Sequence, residues 1–141
     1  MALTSEATTV WNGDLESGEG TTTLDSSQLA EFRVNWKART EGEASTTNPE
    51  ELLGAAHASC FSMQLAGMLA SAGFRATSIQ ATAAVTFAVG TGVVGSHLLV
   101  DADVPGITEE QFLAIAEDAK VNCPISRALA AIPITLEAEL A

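Results

Sequence analysis

The two cysteines of the chain, Cys60 and Cys123, are the residues whose side chains could carry redox chemistry. A thiolate attacks peroxide oxygens and exchanges with disulfides, so two thiols that meet in space would form a dithiol redox pair. Two thiols that lie apart would instead be small buried hydrophobes, a common role for a free cysteine. Both cysteines lie in helix-like segments, and the sequence around each leaves both alternatives open.

Polar residues flank Cys60 at helical spacing. His57 lies one turn before Cys60 and Gln64 one turn after it, so the three side chains share one face of a helix. A histidine on a buried helix is more often a hydrogen-bonded core residue than a catalytic base. The alternative for Cys60 itself is simple packing in an alanine-rich helix.

Cys123 directly precedes Pro124, and this order predicts the N-cap position of a short helix. A thiol at a helix N-terminus lies near free backbone N–H groups and the positive end of the helix dipole, which favour the thiolate. Local chemistry alone therefore makes Cys123 the more acidic of the two thiols. The alternative is that Asn122 caps the helix and Cys123 fills a gap in the core.

One arginine and one glutamate are further candidates. Arg39 precedes a polar loop, and a guanidinium beside a thiol would favour the thiolate and hydrogen-bond an oxygen-rich substrate. Its alternative role is a surface ion pair with Glu41 or Glu43. Glu51 has the position of a capping-box glutamate, whereas Glu50 has no such role and is the one available for another task.

Composition and residue inventory exclude several classes. The net charge of −12 argues against nucleic-acid and anionic-membrane partners. The two cysteines and two histidines lack metal-ligand spacing, and neither a phosphate-binding glycine loop nor a Cys-x-x-Cys motif occurs, so we expect no metal and no cofactor. No secretory signal is visible, and two cysteines without one predict a reducing, cytoplasmic compartment. With 47% hydrophobic and only 17% charged residues, the chain favours a homo-oligomer with an apolar interface.

The sequence predicts that the helices and strands that position these residues form one α+β domain over residues 1–141. The first 40 residues resemble a short β-meander, in which Phe32, Val34 and Trp36 alternate with polar residues. Asn48 then caps a helix that runs to Ala72 and ends before a glycine, with no charge for two-thirds of its length, so we expect it to be buried on most sides. The remaining predicted elements are a hairpin of strands 78–89 and 93–104, helices 109–121 and 124–131, and a strand 132–140.

Taken together, these segments resemble the osmotically inducible protein C (OsmC) family, which includes the organic hydroperoxide resistance (Ohr) proteins. The likeness covers nearly the whole chain in order. It is carried by Trp11-Asn12-Gly13-Asp14, Arg39-Thr40-Glu41-Gly42-Glu43, Thr47-Asn48-Pro49-Glu50-Glu51 with the following residues to Met63, Val104-Pro105-Gly106-Ile107 and Cys123-Pro124-Ile125-Ser126.

The resemblance implies an intertwined homodimer in which antiparallel sheets surround a central buried helix, with active sites at the interface. It implies a peroxidase that reduces organic hydroperoxides, and hydrogen peroxide less well, using an external dithiol or a lipoyl-bearing protein as reductant. By this likeness Cys60 is the peroxidatic thiolate, Cys123 resolves it, and Arg39 and Glu50 activate Cys60. The position of Arg39 places the chain nearest the OsmC subgroup. The assignment reverses the local preference for Cys123 as the attacking thiol.

Helix geometry adds a condition to these roles. Glu50 and Cys60 lie ten positions apart, about 15 Å along a regular helix axis, so we expect Glu50 and Arg39 to meet Cys60 of the other subunit. An apolar substrate pocket is expected from Phe61, Met63, Met68 and Phe74, each of which would equally suit a plain core. The alternatives are a redox sensor or binding module of the same fold, and a structural dimer with inert thiols.

Overall fold

Six β-strands and four α-helices make up the chain, and the computed structural model describes all 141 residues. In chain order they are β1 (Thr8–Asn12), β2 (Glu19–Thr23), β3 (Glu31–Val34), α1 (Trp36–Thr40), α2 (Pro49–Ser71), β4 (Ser78–Ala88), β5 (Gly92–Asp103), α3 (Glu109–Asn122), α4 (Pro124–Ala128) and β6 (Ile134–Leu140). The α+β class is confirmed. The residues group into an amino-terminal unit, Met1–Leu52, and a carboxy-terminal unit, Leu53–Ala141.

The amino-terminal unit is built on the predicted meander, an antiparallel sheet in the order β1-β2-β3. Gly20 on the central strand lets its neighbours close over it, since a Cβ there would lie 2.9 Å from the Trp11 ring and 3.0 Å from Val34. The predicted alternation through Trp36 is wrong beyond Val34. The strand ends because the Asn35 side chain accepts a hydrogen bond from the N–H of Ala38 at 2.7 Å and so begins α1.

Helix α2 begins and ends as its sequence predicts. The Asn48 side chain accepts a hydrogen bond from the Glu51 N–H at 2.8 Å, and Pro49 is the first helical residue. Only this half of the capping box forms, because the Glu51 carboxylate accepts instead from the Thr47 hydroxyl. At the other end Gly73 has a φ of 89°, the left-handed conformation that closes many helices.

The expectation that α2 is buried on most sides is wrong for the single chain. One stripe is buried, at three- and four-residue spacing: Gly54, His57, Phe61, Leu65 and Leu69. The opposite face is exposed and consists of small or apolar residues: Ala55, Ala56, Ser59, Met63, Ala66, Gly67 and Ala70. By length and composition alone α2 would also suffice to cross a membrane, a test that core helices of soluble proteins pass as well.

The carboxy-terminal unit contains the predicted long hairpin, with β4 antiparallel to β5, and β6 added beside β5 in the order β4-β5-β6. The expectation of wholly antiparallel sheets is wrong for β6, which runs parallel to β5 because the chain returns through α3 and α4 before it. Gly54 packs against β4, where a Cβ would lie 2.8 Å from the Ala83 carbonyl oxygen.

The two short segments after α3 are shorter than predicted. Thr108 caps α3 with a full capping box. Helix α4 ends at Ala128, and the Ile132 N–H then donates to the Leu129 carbonyl at 3.1 Å, so a turn replaces the first residues of the predicted strand. The core of the unit joins α2, β5 and α3 through residues such as Phe61, Leu98 and Phe112, all fully buried.

Candidate active site

The thiols of Cys60 and Cys123 meet in the carboxy-terminal unit. The Cys60 thiol lies close enough to the Cys123 side chain to be influenced by it, and neither cysteine is in a disulfide. Cys60 lies on α2 and is partly buried, whereas Cys123 is fully buried in the core. Sixty-three positions of sequence separate the two residues (123 − 60). Their contact places a nucleophile and a potential disulfide partner side by side.

The junction of α3 and α4 positions Cys123. Its N–H donates to the Ala119 carbonyl at 2.8 Å, ending α3, and its carbonyl accepts from the Arg127 N–H at 3.0 Å, beginning α4. Pro124 follows as the first residue of α4, so the predicted N-cap position of Cys123 is confirmed. The thiol makes no capping hydrogen bond, and the side chain packs into the core toward α2.

The surroundings of Cys60 within this unit oppose ionisation. Burial is the largest influence and raises the pKa of the Cys60 thiol. A hydrogen bond from the Ile125 backbone lowers this pKa, while the neighbouring Cys123 side chain raises it again. The net effect is a pKa above that of an ordinary cysteine. A cation close to the sulfur is therefore required if Cys60 is to react as a thiolate at neutral pH.

Arg39 and Glu50 form an ion pair in the amino-terminal unit. The Arg39 Nε–H lies 3.1 and 3.2 Å from the two Glu50 oxygens, and Nη2 donates to Glu50 Oε1 at 2.7 Å. The Glu50 side chain is 7% exposed and that of Arg39 30%. Glu43, one of the two surface partners considered for Arg39, lies 4.0 Å from Lys37. The forked contact fixes the plane of the guanidinium and leaves part of it accessible.

An apolar cavity of about 330 Å³ adjoins Arg39 in the same unit. Its walls are Thr9, Trp11, Leu15, Thr22, Val34, Asn35, Trp36, Arg39, Pro49 and Leu52. None of the four residues predicted to line a pocket contributes: Phe61 is fully buried in the core, and Met63 is 71% exposed. The sequence interpretation missed these walls, most of which lie far from Arg39 in sequence; Trp36, three positions before Arg39, was the one nearby signal.

His57 is a hydrogen-bonded core residue, the more conservative of its two predicted roles. It is fully buried, with Nδ1 2.7 Å from the Ser96 hydroxyl oxygen and Nε2 2.8 Å from that of Ser126. Burial lowers the pKa of His57, which favours the neutral imidazole. Both ring nitrogens are engaged by hydroxyl groups. The two serines escaped sequence analysis because they lie 39 and 69 positions from the histidine.

No cluster of three or more His, Cys, Asp and Glu side chains capable of holding a metal ion is present. The chemistry available at the two sites is therefore that of the paired thiols and of the guanidinium–carboxylate pair. An arginine held by a carboxylate offers directed donors to an oxygen-rich ligand. A thiol next to a second thiol can be oxidised and then form a disulfide.

Comparison with known proteins agrees with this chemistry. The family described as OsmC-like protein matches residues 41–137. Peroxiredoxin OsmC of Escherichia coli K12 is 41% identical over 143 aligned residues, covering 99% of each chain. An OsmC-like protein from Mycoplasma pneumoniae has the same fold, with a TM-score of 0.76 at 16% identity over 100% of this chain and 99% of that one.

An organic hydroperoxide resistance protein from Elizabethkingia anophelis superposes with a TM-score of 0.70 at 25% identity, covering 99% of each chain. The family match spans well over half of the chain, and the curated relative spans almost all of it. The resemblance drawn from the residues is thereby confirmed. The chain belongs to the OsmC family.

Proposed function

We propose that the protein is a cysteine-based peroxidase that reduces organic hydroperoxides to alcohols, with hydrogen peroxide as a poorer substrate. The observation that carries this proposal is the contact between the thiols of Cys60 and Cys123. The peroxidase class is supported by full-length likeness to a peroxiredoxin. The organic preference is supported by the apolar cavity at Arg39 and by the likeness to an organic hydroperoxide resistance protein.

In the first step the Cys60 thiolate attacks the terminal peroxide oxygen. The S–O bond forms as the O–O bond breaks, and the departing alkoxide takes a proton and leaves as the alcohol. The sulfur is oxidised to a sulfenic acid, and the peroxide is reduced by two electrons. Cys60 suits this role better than Cys123 because it is only partly buried, whereas Cys123 is closed off from solvent.

In the second step the Cys123 sulfur attacks the sulfenic sulfur of Cys60. The S–S bond forms, the S–O bond breaks, and hydroxide leaves with the Cys123 proton as water. An external dithiol, either a small molecule or a lipoyl group on a carrier protein, then reduces the disulfide by exchange. The thiols supply all the redox chemistry, and no cofactor enters the cycle.

In this proposal Arg39 activates Cys60, and the Glu50 carboxylate holds the Arg39 guanidinium in place. Helix α2 is continuous from Pro49 to Ser71, so Glu50 and Cys60 lie about 15 Å apart along its axis. We therefore assign Arg39 and Glu50 of one subunit to Cys60 of the partner subunit in a homodimer. The exposed apolar face of α2 provides a surface for such association. In this arrangement the whole chain, residues 1–141, acts as one OsmC-like domain.

The alkyl group of the substrate would occupy the cavity bounded by Trp11, Trp36 and Leu52 while Arg39 binds the peroxide oxygens. The cavity is large enough for a small alkyl or aryl group, which hydrogen peroxide lacks. A disulfide that must be reduced after every turnover fits a reducing, cytoplasmic location.

Peroxide consumption with dihydrolipoamide or dithiothreitol tests the proposal. Wild-type protein should turn over cumene hydroperoxide many times and hydrogen peroxide more slowly, and Cys60→Ser should abolish turnover. Cys123→Ser should permit one turnover and then accumulate over-oxidised Cys60. Full turnover by Cys60→Ser would overturn the assignment. A single oxidation without multiple turnover would instead indicate a redox sensor.

A further inference from the structure

We propose that His57 is a positioning residue that, through Ser126, holds Cys123 opposite Cys60 and so sets the rate at which the Cys60 sulfenic acid is resolved. The proposal rests on the function proposed above and extends it to residues outside the thiol pair. It concerns a buried hydrogen-bond chain that the peroxidase mechanism does not itself use. The chain runs from Ser96 on β5 through His57 on α2 to Ser126 on α4.

The His57–Ser126 hydrogen bond lies next to the thiol pair, as the positions of these residues along the sequence show. His57 and Cys60 lie three positions apart on α2, and Cys123 and Ser126 lie three positions apart at the start of α4. His57 contacts Ser126, and Cys60 contacts Cys123. The two contacts are therefore neighbouring cross-links between the same two segments, one helical turn apart. A shift of α4 along α2 that broke one would displace the other.

Two side chains of α4 form hydrogen bonds with residues outside it: Ser126 with His57, and Arg127 with Asn122 at the end of α3. Helix α4 has five residues, and its N-cap residue, Cys123, makes no side-chain capping hydrogen bond. A helix this short has little stability of its own and depends on tertiary contacts. The Ser126 hydroxyl provides one of these contacts from a side chain that is 5% exposed. The His57–Ser126 contact is therefore the side-chain hydrogen bond that ties α4 to α2.

The imidazole ring suits this role better than an aliphatic side chain. Its two nitrogens lie at fixed positions, and each meets a hydroxyl oxygen at 2.7 or 2.8 Å. In the neutral ring one nitrogen donates and the other accepts, so both hydroxyls are satisfied at once. Buried polar groups left unpaired are costly, and this cost disfavours any position of α4 that leaves Ser126 and His57 apart.

Positioning matters most after the first chemical step. The Cys60 sulfenic acid either loses hydroxide to attack by Cys123, giving disulfide and water, or reacts with a second hydroperoxide to give sulfinic acid and alcohol. Loss of the His57–Ser126 contact should slow the first of these reactions. The initial attack of Cys60 on peroxide, in which Cys123 takes no part, should proceed as before.

Ser126→Ala tests the proposal in rapid-mixing experiments with cumene hydroperoxide. Formation of sulfenic acid should stay within about twofold of wild type, while disulfide formation slows roughly tenfold, the effect of one lost buried hydrogen bond. The sulfinic fraction, measured by intact mass, should rise with peroxide concentration. Ser126→Thr, which keeps the hydroxyl, should restore disulfide formation. An unchanged rate of disulfide formation, or equal slowing of both steps, would overturn the proposal.

Two further variants complete the experiment: Ser71→Ala is the control for removal of a hydroxyl group, and Ser96→Ala tests the other hydrogen bond of His57. Ser71→Ala removes a hydroxyl that donates only to the Gly67 carbonyl within α2, and it should leave both rates unchanged. Ser96→Ala frees the far side of the His57 ring and should slow disulfide formation less than Ser126→Ala does. A Ser96→Ala protein with the wild-type partition between disulfide and sulfinic acid would count against the hydrogen-bond chain.

A redox titration separates this inference from the proposed function. The Cys60–Cys123 disulfide is equilibrated with glutathione buffers, and Ser126→Ala should make it roughly tenfold less stable because the thiols are less well held together. That shift without any peroxide reduction by the wild type would refute the peroxidase but support the positioning role. Normal peroxide reduction without the shift would refute the positioning role alone.

Discussion

At the scale of single residues, the surroundings of Cys60 and the ion pair of Arg39 define what Cys60 needs in order to act as the proposed catalytic thiol. Burial and the neighbouring Cys123 raise the pKa of Cys60, and the Ile125 backbone offsets this only in part. Arg39 is fixed by a carboxylate that is almost wholly buried. The proposed meeting of the two sites supplies the positive charge that a reactive thiolate requires.

Arg39→Ala should therefore raise the pKa of Cys60 further, because the cation that stabilises the thiolate is removed. At pH 7 the thiolate fraction and the rate of peroxide reduction should fall about 10- to 100-fold. The measurement is the pH dependence of alkylation by iodoacetamide in a Cys123→Ser background, so that only Cys60 reacts. Arg39→Lys keeps the charge but not the forked contact with Glu50, and should give an intermediate pKa. An alkylation profile unchanged by Arg39→Ala would contradict the role.

His57 predicts a pH dependence of stability. Because burial lowers its pKa in the folded state, the unfolded chain binds the proton more readily at mildly acidic pH. The contribution of His57 is complete above about pH 6.5, its ordinary pKa, and is lost as the pH falls below it, by at most about 1.4 kcal/mol per pH unit. Urea unfolding between pH 7.5 and 5.5 measures this slope. His57→Gln should flatten it.

At the scale of elements, the close approach of α2 to β4 depends on a missing side chain. A Cβ at Gly54 would lie 2.8 Å from the Ala83 carbonyl oxygen, a backbone atom that cannot move aside. Gly54→Ala should lower the free energy of unfolding by about 1–3 kcal/mol, as overpacking does. Gly95→Ala is the control, because its Cβ would meet only the Pro133 oxygen at 3.5 Å. Equal stability of both variants in urea unfolding would show that α2 shifts freely on β4.

At the scale of the whole molecule, the exposed apolar face of α2 and the separation of Glu50 from Cys60 both point to a second subunit. This proposal makes a prediction that no single-chain arrangement shares. Alone, Cys60→Ser protein should be inactive and Arg39→Ala protein should keep only about 1–10% of the wild-type rate, as argued above. After the two are mixed and their subunits reassorted, half of the dimers contain one of each.

In such a mixed dimer, Cys60 of the Arg39→Ala subunit meets Arg39 of the Cys60→Ser subunit, so one site of two is complete. Turnover should recover to about one quarter of the wild-type value per total protein. The measurement is cumene hydroperoxide consumption with dihydrolipoamide before and after reassortment, with size-exclusion light scattering to verify dimers. A mixture that shows no such recovery would place Arg39 and Cys60 of one chain in the same site.

The features that could be predicted from the sequence are those whose interacting residues lie close together in the chain. The Asn48 cap, the glycine that ends α2 and the β4–β5 hairpin depend on residues a few positions apart, and the sequence predicts each of them. Where a local signal was missed, as at Asn35, one capping hydrogen bond prevailed over an alternating pattern. The specific motif around Cys60 was enough to indicate the family.

Contacts between distant residues were not predictable from local pattern. Nothing near Cys60 indicated that Cys123 would touch it, and nothing near His57 indicated its two serines, because these contacts arise from how α2, β5 and α4 pack. Packing also placed the cavity beside Arg39 rather than around Phe61. Local hydrogen bonds and periodicity are encoded within one segment, whereas the meeting of two thiols depends on the burial of several segments at once.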